Sequence, residues 1–210
     1  MKLSAYEFAA YVDFQIEGYP ENEYLLRTGR DKKKVIEEFW PLSRLALALK
    51  QPGLDVQVEA HEETKRSDGY IWITGFRQCE FTVEVTTAGY HEKEALRSEL
   101  LVQQGFAPAT GKIDRQPKSR VIVAETTAED PYEPIRRLAV SIRERSIAKS
   151  KKLYLDGTFL IIAFQDTKLC GRGWWRVLFE EIDRLGGIDK SNFAKVYLFN
   201  CFSNELLQVA

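Results

Sequence analysis

The chain is poor in the residues from which many sites are built. Its 210 residues include three cysteines and two histidines. Cys79, Cys170 and Cys201 are scattered with no CxxC pair, and His61 and His91 stand apart from them, so the pattern offers no structural zinc site. An odd cysteine count offers no disulfide framework and predicts a reduced, cytoplasmic setting. No window approaches the ~18 uninterrupted apolar residues of a membrane span, and the opening "MKLSAYEFAAYVDFQIEGYP" lacks the apolar segment of a secretory signal. No membrane partner is expected. An excess of one charge is also missing. Thirty basic and 31 acidic residues give a net charge of −1, which supplies no global attraction to nucleic acid but leaves room for a local basic surface. The motifs GxxxxGK[ST], HExxH and GxSxG, and a GxGxxG after a strand, are all absent.

What is present is an ordinary globular composition, 44% hydrophobic and 29% charged, at a length that suits a single domain over residues 1–210. Apolar spacing predicts a helix over 31–50, capped by Asp31 and kinked or broken at Pro41. "LDVQVEAHEET", "YIWITG" and "RQCEFTVEVTTA" alternate like strands, and the short link through Gly75 makes the last two a hairpin. A helix follows over 91–105, then a loop rich in Pro, Gly and basic residues over 106–120, and a short strand in "VIVAET". Asp130, with Pro131 and Pro134 behind it, opens a long helix to residue 152. "TFLIIAFQD" is a continuous apolar run, as expected of a strand buried on both faces. "GWWRVLFEEIDRLGG" is an amphipathic helix, and "KVYLFNCFSNELLQV" reads as two strands. Residues 8–20 read as a short strand or helix. The fold class is therefore α/β, a mixed central sheet flanked by helices, with a core over about 31–164 and a C-terminal helix and hairpin added.

Within this frame, Asp68 opens the second strand in "SDGYIWI" and Glu84 lies in the third, in "VEVT". Phe81, Val83 and Val85 share one face of that strand; Thr82, Glu84 and Thr86 share the other, polar face. The order of a helix, three meandering strands, a helix and a further strand, with these two acids in place, resembles the restriction-endonuclease-like, or PD-(D/E)XK, superfamily of nucleases. The resemblance implies either a phosphodiester-cleaving site in which Asp68 and Glu84, with the Val85 carbonyl, hold magnesium, or a degenerate relative that only binds nucleic acid. Hard oxygen donors of this kind suit that ion. It also implies a lysine two residues after the Glu, where this chain has Thr86. The missing cation would then come from another element, with Lys93 first and Arg97 or Lys112 as alternatives. A third acid would come from the preceding helix, as Glu37 or Glu38.

Each of these residues has a plainer reading. Strand carboxylates commonly face solvent, Asp-Gly is turn chemistry, and Lys33 and Lys34 are i,i+4 partners for Glu37 and Glu38. The basic face of helix 131–152, with Arg143, Lys149 and Lys152, is either a solvated face or a track for a phosphate backbone. Trp174 and Trp175 are adjacent, so they cannot both face inward. The rival functional reading is a non-catalytic protein-interaction module on the same fold, and Thr86 and the near-neutral charge favour it.

Overall fold

In the computed structural model, which describes residues 2–61, 67–89, 92–109, 111–166 and 172–209, seven strands form one sheet between two helical layers. Strand β1 (Lys2–Ser4) leads into α1 (Ala5–Glu17). Ser4 caps that helix reciprocally with Glu7, a sequence signal that settles residues 8–17 as helical. Helices α2 (Glu21–Leu26) and α3 (Arg30–Lys34) follow. Next come one π-helical turn, Val35–Phe39, and α4 (Trp40–Leu49). The expected break at Pro41 is thus displaced upstream. Proline lies in the first turn of α4, and the wider π turn before it absorbs the lost backbone bond. Asp31 does not cap; it sits in the first turn of α3, behind Gly29.

Strands β2 (Leu54–Ala60), β3 (Gly69–Gly75) and β4 (Cys79–Thr87) form the antiparallel meander read from the alternation. Helix α5 (Glu92–Gln104) then carries a small hairpin, β5 (Ile113–Arg115) with β6 (Ile122–Ala124). The stretch read as a loop therefore contains a strand, too short for alternation to reveal. Helix α6 (Glu133–Ser150) leads to β7 (Phe159–Phe164), α7 (Arg172–Arg184) to β8 (Lys195–Asn200), and β9 (Glu205–Gln208) ends the sheet. Asp130 does not cap α6 either; it accepts the Tyr132 N–H at 3.0 Å and pairs with Arg136.

The sheet order is β1-β2-β3-β4-β7-β8-β9. Strands β4, β7 and β8 run parallel, and the other neighbours are antiparallel. Parallel neighbours need crossovers, and helices supply them here. One core lies between the sheet and α1 and α4 and takes Val83, Val85, Ile161 and Ala163. The other lies under α6 and α7 and takes Leu160, Ile162 and Phe164. Strand β7 therefore feeds both cores, as its unbroken apolar run requires. Trp175 is buried in the second core, and Trp174 is half-buried against Tyr132. Among the described residues, no helix is long and apolar enough to cross a membrane.

Candidate functional site

Gly69 pairs with Val83 across the β3–β4 ladder, and continuing that register by one residue sets Asp68 opposite Glu84. Residues opposed in an antiparallel pair project to the same face. The backbone ladder gives way here. The Asp68 N–H donates to the Val83 carbonyl at 3.0 Å, and the Asp68 carboxylate, not a carbonyl, accepts the Val85 N–H at 2.7 Å. Behind Asp68, His61 joins the base of the β2–β3 connection. Its backbone N–H donates to the Asp68 carbonyl, and its Nδ1 lies 2.9 Å from the Ser67 carbonyl.

The face carrying Glu84 is polar by sequence but covered by α6. Glu84 is only 7% exposed, so it is not a solvated strand acid. A buried carboxylate needs a partner, and it has two. The Lys149 ammonium donates to Glu84 Oε1 and lies 3.4 Å from the Val85 carbonyl oxygen. The Tyr154 hydroxyl donates to the same Oε1 at 3.3 Å. The cation facing the acid pair therefore comes from α6. Lys149, which sequence placed on a phosphate-tracking basic face, points inward.

The other residues of that reading separate. Arg143 lies against the 186–189 segment, where a Cβ added to Gly186 would meet its guanidinium at 3.5 Å. Lys152 is exposed beyond the end of α6. Lys93 is exposed in the first turn of α5. Arg97 is engaged within the α5 unit, donating to the Pro108 and Gly111 carbonyls and pairing with Glu94. Lys112 lies 3.7 Å from Asp114. His91 and Cys170 lie outside the described residues.

The π turn resolves the choice between Glu37 and Glu38. Glu37 accepts from Arg27 at 2.9 Å, with Lys33 at 3.9 Å. Glu38 lies 3.4 Å from Lys34 and acts electrostatically on Asp68. Burial, reinforced by the Glu38 charge, raises the Asp68 carboxyl above the ordinary range. Burial and the Asp68 charge raise Glu84 as well, against the opposing pull of Lys149. Burial and Glu84 raise the Tyr154 phenol. Buried carboxyls raised by burial and by neighbouring like charge, beside a cleft, make a candidate functional site.

A cleft of about 270 Å³ opens beside the pair. Lys33, Glu37 and Glu38 form one wall, Val85, Thr86 and Thr87 the floor, and Arg145 of α6 the other wall. Thr86, two residues after Glu84, is thus part of the floor. Among the described residues, no set of three or more His, Cys, Asp or Glu side chains is grouped to hold a metal ion. The oxygen donors at the site are an acid pair and a backbone carbonyl.

Sequence reading missed Lys149 as the partner of Glu84, 65 residues away. A signal existed. Ile135, Ile142 and Lys149 follow one another at intervals of seven, and both isoleucines are fully buried. A lysine on the apolar stripe of a helix is one that meets the interior. Compared with known proteins, the chain matches no family model, no curated protein and no solved structure.

Proposed function

We propose that the chain is a metal-dependent phosphodiesterase acting on nucleic acid, of restriction-endonuclease-like kind, with Lys149 replacing the lysine that Thr86 displaces from the motif. The observation that carries this reading is the Lys149 ammonium, seated on Glu84 and beside the Val85 carbonyl, with Asp68 opposite. The order of helix, three-strand meander, helix and parallel strand supports it.

The donor set fits magnesium. The ion takes one or two protein carboxylates plus a carbonyl or water, and two acids whose carboxyls are raised by burial, with Glu38 acting on Asp68 and Asp68 on Glu84, would gain from a cation beside them. Asp68, Glu84 and the Val85 carbonyl would hold it. Bound there, it would neutralise phosphate charge and acidify a water. The chain's own residues do the rest. Lys149 orients Glu84 and puts a positive charge at the reacting centre. The Val85 N–H fixes the Asp68 carboxylate, and Tyr154 keeps Glu84 from turning away. Glu38 adds a negative charge that favours a divalent cation over none.

A relative that binds nucleic acid without cutting it is the second reading, favoured by the Glu84–Lys149 ion pair, which satisfies Glu84 without a metal. End-labelled single-stranded and duplex DNA, incubated with magnesium or manganese, separates the two. Cleavage that vanishes in Asp68→Asn and falls at least about tenfold in Lys149→Met supports the nuclease, the loss matching one charge contact in a dry site. Salt-sensitive binding without cleavage supports the second reading, and neither binding nor cleavage contradicts both.

A further inference from the structure

Arg145 stands on α6 one turn before Lys149, so the two share a helix face. It walls the cleft at the level of Thr86 and Thr87, just past Glu84 along β4. Its charge is available. The glutamates of the opposite wall have their own cations, Arg27 and Lys33 for Glu37 and Lys34 for Glu38. Among the described residues no carboxylate pairs with Arg145, which is exposed, whereas Arg136 and Arg137 earlier on the same helix are engaged by Asp130, Glu133 and Glu129. An arginine left unpaired at the rim of a polar cleft that two half-buried threonines also line is a fork of donors suited to a phosphate.

We propose that Arg145, with Lys33 across the cleft and Thr86 and Thr87 on its floor, forms a subsite for a backbone phosphate of a nucleic-acid strand, next to the phosphate held at Asp68 and Glu84. The subsite deepens the phosphodiesterase reading and rests on it. It also gives the Thr86 departure a role: with the motif cation supplied from α6, the motif position is free to line the strand's path. Because Arg145 is exposed and structurally unpartnered, its replacement leaves the fold intact.

The test uses the full chain and a fluorescently labelled 12-nucleotide DNA strand, read by anisotropy over a salt series, with calcium in place of magnesium to limit cutting. Wild type is compared with Arg145→Ala, Arg145→Lys, and Arg176→Ala on α7 as an exposed control. The expected result is at least about tenfold weaker binding in Arg145→Ala, a salt slope shallower by about one, partial recovery in Arg145→Lys, and no change in the control. Magnesium binding by calorimetry stays unchanged in Arg145→Ala. If wild type binds the strand and Arg145→Ala binds it equally well, the subsite is wrong and the phosphodiesterase reading stands. A second arm titrates inorganic phosphate. Arg145-dependent phosphate binding without strand binding keeps an anion subsite but removes the nucleic-acid reading. Binding of neither probe removes both.

Discussion

At the scale of single residues, the site is a problem in burying charge. Glu84 and Lys149 side chains are 9% and 17% exposed, so neither is fully hydrated and each depends on the other. Removing one partner of such a pair leaves a buried, uncompensated ion. Lys149→Ala is therefore expected to lose about 3 kcal/mol, and Lys149→Ala with Glu84→Gln to regain most of it. Thermal unfolding reads this as about 2–4 °C per kcal/mol for a chain of this size. The loss shrinks toward pH 5, because Glu84 without its cation protonates more readily. Asp68 makes a second prediction, with a definite sign. Its carboxyl is raised in the folded state, so the folded protein holds that proton more tightly than the unfolded chain. Unfolding then releases protons, and stability falls as the pH rises from the ordinary carboxylate value through the raised one. Asp68→Asn keeps an oxygen to accept the Val85 N–H and removes the charge. Its Tm at pH 7.5 is expected to exceed that of wild type by about 2 °C or more, and the gap to close as the pH falls to about 4. An equal Tm at both pH values would show that Asp68 carries no unfavourable charge.

At the scale of elements, what matters is how a strand end, a π turn and the end of α6 converge. Gly69, directly after Asp68, lets α4 lie close to β3: a Cβ there would fall 2.5 Å from a Leu42 methyl and 3.3 Å from the Glu59 carbonyl. Leu42 is fully buried, so moving its methyl aside means repacking the core around it. Gly69→Ala is expected to cost about 1–3 kcal/mol, and the cost to shrink in a Leu42→Ala background, where the clash is gone. Chemical denaturation of the four proteins measures that coupling, and simple additivity would contradict it. Much of this layout was legible. Alternation at Phe81, Val83 and Val85 gave the buried face of β4, the run in "TFLIIAF" gave a doubly buried strand, and the Asp and Glu were placed on paired strands. The convergence was not. Alternation says that Glu84 shares a face with Thr82 and Thr86; it does not say that a helix 50 residues on will cover that face. The π turn that separates the roles of Glu37 and Glu38 has no spacing signature, because it answers to Pro41 and to packing. Strand β5 is too short for a period to register.

At the scale of the whole molecule, a net charge of −1 hides an uneven distribution. Arg145 lines the cleft together with Val85, whose N–H holds the raised Asp68 carboxyl and whose chain neighbour is the raised Glu84. A fold held by two cores, one on each side of the sheet, can carry such an acid pair, and under the proposed function it would recover stability on binding a cation. At a hundredfold excess over Kd, that recovery is about 2.7 kcal/mol. The most direct measurement is calorimetric titration of the full chain with magnesium, beside Asp68→Ala and Glu84→Ala. The account predicts saturable binding near one ion per chain in wild type and its loss in each variant. Absence of binding in wild type, or binding that survives both substitutions, would contradict it.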